Sequence, residues 1–117
     1  MLFALICTDK PASVDLRMSV RPEHVKYLES LGGKLKAAGP FTTDDGQPTG
    51  SLVIVEAADR AAAHAMAAAD PYAKAGLFAA VEIKAWKWSL KNPEKSASSG
   101  KSSLTSRPSR IRYEVPR

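Results

Sequence analysis

The sequence predicts an α+β fold with the element order β-α-β-β-α-β. Three observations carry this prediction: an apolar stretch at 2–8, a β-branched run at 51–56, and helical patterns at 20–31 and 60–69. Within residues 1–90 this order is that of the ferredoxin-like fold, a four-stranded antiparallel sheet with two helices on one face. We therefore expect the other face of the sheet to be open.

The first strand, predicted over residues 2–8, is apolar on both faces, with Phe3, Leu5 and Cys7 on one and Leu2, Ala4 and Ile6 on the other. This pattern is typical of a central strand. Since two helices cover one face only, we expect a second copy of the chain to cover the other, giving a homodimer with the sheets face to face. Cys7, the single cysteine, is expected to be a buried and inert thiol.

The first helix is predicted over residues 20–31 from a stripe at helical spacing: Val20, His24, Leu28 and Leu31. Pro22 suits the first turn of a helix, where its missing N–H has no partner to lose. His24 therefore faces the interior. There it is either a core histidine or an acid–base group.

A short second strand is predicted at residues 34–38, ending at Gly39-Pro40. A polar loop over 42–50, rich in turn residues, connects it to the third strand at 51–56. The third strand is the clearest β-branched run in the chain.

The second helix is predicted over residues 60–69, capped by Asp59 and made almost wholly of alanine. Asp70-Pro71-Tyr72 must break this helix, because a residue before proline is pushed out of the helical region. Alternation of apolar and polar residues over 79–88 predicts the last strand.

Charge divides the chain into a body and a tail. Of the net charge of +5, residues 1–90 contribute none and residues 91–117 hold seven basic against two acidic residues. The tail is basic and rich in Ser and Pro, which predicts a flexible, solvated extension. A basic arm that touches phosphates or an acidic partner is the alternative, and the alternation of Ile111, Tyr113 and Val115 leaves open a short docking strand. The body has no basic stripe interleaved with aromatics, so we do not expect nucleic acid as the main partner.

No apolar stretch approaches the ~20 residues that a membrane span needs, and the apolar start lacks a basic region before it. We therefore expect a cytoplasmic protein with no membrane partner. His64 has no acidic or cysteine neighbour at ligand spacing, so no metal site is predicted. No glycine-rich phosphate loop is present either, and we expect no cofactor.

Short motifs follow one another in a fixed order from Met1 to about Leu90: Asp9, Arg17, Arg21-x-x-His24, Ala38-Gly39-Pro40, Gly50-Ser51, Asp70-Pro71-Tyr72 and Ala75-Gly76-Leu77-Phe78. In these motifs the chain resembles the YciI-like (YCII-related) family of the dimeric α+β barrel superfamily. The resemblance implies a small-molecule pocket with a histidine and an aspartate at its centre, seen as a catalytic pair. A few similar proteins act on chlorinated or hydroxylated aromatic ring products. The resemblance by itself does not fix the substrate. The tail after residue 90 departs from the usual compact member.

The candidate catalytic residues are His24 and one of two aspartates. Asp70 is preferred, because at the point where Pro71 breaks the helix it can turn towards the interior. Asp9, just past the end of the first strand, is the rival. Oriented by either, His24 would act without a cofactor as general base or acid on a small anionic or enolisable substrate. Elimination, isomerisation and lactone chemistry all fit.

Four further residues are candidates for substrate binding. Arg17 and Arg21 are either a bidentate clamp on an anionic substrate or solvated charges at the helix start. Ser51 would shape the pocket wall. Tyr72 either offers its hydroxyl to a ligand or packs in the core. The alternative function is a non-catalytic module that binds a metabolite or serves an accessory or regulatory role.

Overall fold

Four strands and two main helices make up the fold in a computed structural model, which describes residues 1–94. In chain order the elements are β1 (Leu2–Asp9), α1 (Val14–Ser30), β2 (Leu35–Thr42), β3 (Pro48–Glu56), α2 (Arg60–Ala69), the short α3 (Pro71–Lys74) and β4 (Phe78–Trp86). A 3₁₀ turn, Gly32–Lys34, joins α1 to β2. The predicted α+β ferredoxin-like order is confirmed.

The sheet has the strand order β2-β3-β1-β4, and every neighbouring pair is antiparallel. β1 is a central strand, as its two apolar faces predicted. Its register with β4 shifts between Thr8 and Asp9, where Asp9 pairs with Phe78. Such irregularities re-aim a side chain, and this one lies at the strand end that carries Asp9.

The core lies between the sheet and the helices. Its buried members come from β1, α1, β3, α2 and β4 and the residue after β3, and they are Phe3, Leu5, Cys7, Leu28, Val53, Val55, Ala57, Ala63, Ala67 and Ile83. The alanines of α2 let that helix approach the sheet closely, because each leaves only a methyl group between the two backbones. The face with Phe3, Leu5 and Cys7 is therefore the one that the helices cover.

The first helix begins at Val14, six residues before the predicted start, and Pro22 lies inside it. The prediction was wrong because it followed apolar residues only. The three buried residues of α1 are Arg17, His24 and Leu28, so a charged side chain anchors the first turns. An internal proline costs a helix about 3 kcal/mol, and on either side of Pro22 the side chains of Arg17 and His24 make buried tertiary hydrogen bonds.

The second strand also runs further than predicted, through Gly39 and Pro40 to Thr42. Pro40 lies opposite Ser51 in β3. β2 is an edge strand, where a proline is tolerated because its nitrogen can face away from the ladder. The connection to β3 is correspondingly shorter, at residues 43–47, and β4 ends at Trp86 rather than at residue 88.

The body over Met1–Lys87 is one unit, and a second unit begins at Trp88. In the described part of the second unit, the backbone N–H of Glu94 donates to Oδ1 of Asn92 at 2.9 Å. Residues 95–117, with most of the predicted tail and the strand suggested by Ile111, Tyr113 and Val115, lie outside the described residues. Within residues 1–94, no helix is both long and apolar enough to cross a membrane.

Candidate active site

His24 and Asp70 form a buried pair between α1 and the junction of α2 with α3. Nδ1 of His24 lies 2.9 Å from both Oδ1 and Oδ2 of Asp70, and the two residues are 8% and 6% exposed. An ionised carboxylate can only accept hydrogen bonds, so Nδ1 carries the proton in this pair. Nε2 is then the nitrogen at which His24 can take up or release a proton.

The position of Asp70 follows from the proline after it. Pro71 disfavours the helical conformation at the preceding residue, and Asp70 is extended, with φ −63° and ψ 131°. Asp70 thereby ends α2 and begins α3, and its Oδ1 accepts the backbone N–H of Tyr72 at 2.9 Å. The local chain thus fixes the carboxylate that His24 meets.

Tyr72 stacks on His24. The two ring centroids are 3.9 Å apart and the ring planes differ by 17°, while the edge of Phe78 from β4 contacts Tyr72 with the centroids 6.0 Å apart. Burial raises the pKa of Tyr72, against the opposing effect of the Arg17 and Arg21 cations. Tyr72 therefore stays a neutral phenol near pH 7, and its ring lies nearly parallel to the imidazole.

Arg17 of α1 links the end of β1 to β3. Nε donates to Oδ2 of Asp9 at 2.7 Å, and Nη2 donates to Oδ1 of Asp9 at 3.1 Å and to Oγ of Ser51 at 2.8 Å. Cζ of Arg17 also lies 4.6 Å from the centre of the Tyr72 ring. Burial opposes the charge of the guanidinium, but the bond and charge of Asp9 outweigh it, so the pKa of Arg17 is raised. Arg17 therefore keeps its charge where it contacts Asp9.

Cys7 is buried on the helix-covered face of β1, as predicted. Burial, and then the charge of Asp70, raise the pKa of its thiol to about 12, while Arg17 lowers it and Asp9 raises it. Charges from both the His24–Asp70 pair and the Arg17–Asp9 pair thus act on the thiol, which stays protonated. A protonated thiol is a poor nucleophile.

The two candidate aspartates thus have different partners, since Asp70 contacts His24 and Asp9 contacts Arg17. Ser51 is buried, and its Oγ accepts a hydrogen bond from Nη2 of Arg17. Arg21, one turn before His24, is exposed and makes no ion pair within residues 1–94. The catalytic and ligand-binding roles of these residues remain predictions.

The remaining histidine, His64, is exposed on α2. In the described part of the chain, no group of three or more His, Cys, Asp or Glu side chains is placed to hold a metal ion.

Sequence reasoning missed the contacts of Arg17 and the need for glycine at position 50. Arg17 precedes His24 by seven residues, which is two helical turns and the same face of the helix, and that spacing could have paired them. A Cβ on Gly50 would lie 2.2 Å from the carbonyl oxygen of Cys7. Only glycine therefore lets β3 approach β1 next to Ser51.

Comparisons with known proteins agree with this fold. The YCII-related domain family matches residues 1–87. Protein YciI of Escherichia coli O6:H1 is 41% identical over 95 residues, covering 74% of this chain and 97% of that protein. An uncharacterised protein of Haemophilus influenzae is 36% identical with the same coverage.

Among solved structures, the chain is similar to 5-chloro-2-hydroxyhydroquinone dehydrochlorinase (TftG) of Burkholderia phenoliruptrix AC1100, solved in complex with 2,5-dihydroxybenzoquinone. The two are 39% identical with a TM-score of 0.67, and the match covers 74% of this chain and 94% of that chain. The match of the family to residues 1–87, together with these relatives, shows that the chain belongs to the YCII-related domain family.

Proposed function

We propose that this protein is a small-molecule enzyme in which His24, oriented by Asp70, transfers a proton without a cofactor. The observation that carries the proposal is the buried pair itself, with Nδ1 of His24 at 2.9 Å from both oxygens of Asp70. A histidine held in one tautomer by a carboxylate is a usual arrangement for acid–base catalysis. The solved relative that is 39% identical and carries the name of a dehydrochlorinase supports this class of activity.

Elimination from a small hydroxylated ring is the reaction that fits best. Nε2 of His24 would remove a proton from the substrate, and the electron pair released would shift towards the carbon that bears the leaving group. That group departs with its bonding electrons, so the substrate loses one proton and one anion. Asp70 stabilises the imidazolium formed in this step, as the aspartate of a catalytic triad does.

Arg21 is the residue that we propose to recognise the negative charge of the substrate. It is exposed, and its charge reaches the site, since it lowers the pKa of Tyr72 against the effect of burial. Arg17 is less suited, because its side chain is already bonded to Asp9 and Ser51. A substrate with an ionised hydroxyl or carboxylate would meet Arg21 next to His24.

We propose a homodimer, with the open faces of two sheets in contact. On the open face of the sheet Ala4 and Ile54 are buried among their neighbours, whereas Leu2, Ile6 and Leu52 remain partly exposed. A second copy would remove these side chains from water at ~25 cal/mol per Å² of apolar surface. Light scattering should give twice the 12.5 kDa mass of the chain, and a monodisperse monomer at micromolar concentration would contradict the proposal.

The deciding experiment compares turnover of 5-chloro-2-hydroxyhydroquinone with binding of 2,5-dihydroxybenzoquinone. Replacing His24 by Ala should lower turnover at least ~10²-fold, because it removes the acid–base group. His64→Ala is the matched control, since His64 is the other histidine and is exposed on α2. Turnover should be unchanged in that control.

Ligand binding separates the enzyme from a module that only binds. A ligand at 100 times its dissociation constant adds about 2.7 kcal/mol of stability, which a thermal shift detects. Binding of the quinone by both the wild-type protein and His24→Ala, with no turnover in either, would favour a metabolite-binding or accessory module. A set of related chlorinated and hydroxylated ring compounds should be screened alongside it.

A further inference from the structure

Arg17 occupies a position that a substrate clamp does not explain. Nε and Nη2 together make three hydrogen bonds, two to Asp9 and one to Ser51. A clamp on a carboxylate needs two adjacent N–H groups that point the same way. A guanidinium has two such pairs of N–H groups, Nε with Nη2 and Nη1 with Nη2, so each pair needs a hydrogen of Nη2. In Arg17 both Nη2 hydrogens already donate, one to Asp9 and one to Ser51. Since Asp9 also cancels its charge, Arg17 is not arranged to hold an anionic substrate.

Arg17 contacts the ring of Tyr72, which stacks on His24. Arg17 and His24 lie on the same face of α1, two turns or about 10.5 Å apart along the axis. The centre of the Tyr72 ring is 4.6 Å from Cζ of Arg17 and 3.9 Å from the centre of the imidazole. Tyr72 is 1% exposed, so its ring fills the gap between the two side chains.

We propose that Arg17 is a positioning residue, which holds Tyr72 against His24 and so fixes the imidazole for proton transfer; this rests on the proposed function of His24. The guanidinium attracts the face of the ring. Asp9 from β1 and Ser51 from β3 hold the guanidinium in turn. The sheet therefore sets the orientation of His24 through Arg17 and a single aromatic ring.

The imidazole proton signals in the NMR spectrum test this proposal without any substrate. The chain has two histidines, so the signals of His64 on α2 serve as an internal reference. A stacked ring shifts the protons above its face upfield. Tyr72→Phe keeps the ring and should leave the His24 signals near their wild-type position, whereas Tyr72→Leu should move them towards the signals of exposed His64.

The decisive variant is the double substitution Arg17→Met with Asp9→Asn. It removes the cation from the ring and avoids leaving Asp9 buried as an unpaired charge. The His24 signals should move in the same direction as in Tyr72→Leu, while those of His64 stay in place. If the double variant does not fold, Ser51→Ala removes only the bond from Nη2 to Oγ of Ser51 and should give a smaller shift in the same direction.

Kinetics distinguish positioning from substrate binding. Misplacing a catalytic group by about 1 Å costs ~10²-fold in rate, so the double variant should lose about that factor in kcat with KM nearly unchanged. Arg21→Met should instead raise KM and leave the His24 signals unaltered. Unchanged His24 signals in a folded double variant, or a rise in KM at unchanged kcat, would overturn the proposal. If no turnover is found for the wild-type protein, the proposed function fails, and the NMR shifts still decide whether Arg17 positions His24.

Discussion

Two buried carboxylates meet α1 on the same face and two turns apart. Asp9 bonds to Arg17 and Asp70 bonds to His24, with side chains 6% and 6% exposed in the first pair and 8% and 10% in the second. The two pairs are therefore buried to nearly the same extent, and their N–O distances of 2.7 Å and 2.9 Å are also similar. The partners differ, since arginine is charged at every physiological pH and histidine gains or loses its charge between about pH 5 and 8. Of the two residues paired with an aspartate, His24 is therefore the one to which we assign the proposed proton transfer.

Stability should separate the two pairs most clearly. Asp9→Asn leaves the buried cation of Arg17 without its counter-charge, and breaking a buried pair from one side typically costs about 3–5 kcal/mol. Asp70→Asn should cost only about 1 kcal/mol, because His24 can remain neutral and keep a hydrogen bond. Urea unfolding near pH 7 measures both values.

The double variant Arg17→Met with Asp9→Asn is the control for this difference. Replacing both members of a buried ion pair is often close to neutral, so the double variant should be more stable than Asp9→Asn alone. Equal losses of unfolding free energy in Asp9→Asn and Asp70→Asn would show that stability does not depend on whether the partner of the aspartate is arginine or histidine.

Catalytic activity should depend more on Asp70 than on Asp9, which is the reverse of the order expected for stability. In Asp70→Asn the amide can donate to Nδ1 of His24, which favours the tautomer with the proton on Nε2 and leaves no base there. We expect kcat to fall by ~10²-fold or more, with little loss of stability, measured as turnover of 5-chloro-2-hydroxyhydroquinone. Asp44→Asn, in the exposed connection between β2 and β3, is the matched control and should be fully active. Full activity in Asp70→Asn would remove Asp70 from the mechanism.

The fold could be predicted because its determinants are local and apolar. The alternating faces of β1, the β-branched run of β3 and the alanines of α2 each follow a regular period, and the structure confirms the order that they give. The start of α1 could not be predicted in this way. Its first buried residue is Arg17, whose burial depends on Asp9 and Ser51 from other parts of the chain.

For the candidate site, the sequence indicated the residues and the preferred pair of His24 with Asp70, but not the pair of Arg17 with Asp9. Pro71 explains why Asp70 turns away from the helix, which is why it was the preferred partner of His24. No residue near Asp9 in the sequence indicates that Arg17 will pair with it, because the two side chains come into contact only when α1 packs on β1. The stack of Tyr72 on His24 depends in the same way on tertiary packing.

The smallest expected effect is on Cys7, whose thiol responds to the charges of both pairs. Its pKa is raised to about 12, first by burial, then by Asp70, with Arg17 opposing and Asp9 adding the least. The thiol should therefore resist alkylation by iodoacetamide at about pH 8 in the folded protein and react after unfolding in urea. Since Cys7 is the single cysteine of the chain, the measured rate belongs to it alone, and Cys7→Ala gives the blank.

The same raised pKa makes one contribution to the pH dependence of folding. Because the pKa of Cys7 in the folded protein is raised above its ordinary value of 9.0, its contribution to stability is complete below about pH 9 and is lost as the pH rises towards 12. Cys7→Ala should lose less stability than the wild-type protein over this range. Asp70→Asn should lower the pKa of the thiol more than Asp9→Asn does, which alkylation rates against pH would measure. The reverse order would mean that Asp9, despite its ion pair with Arg17, exerts the stronger field on the interior of the site.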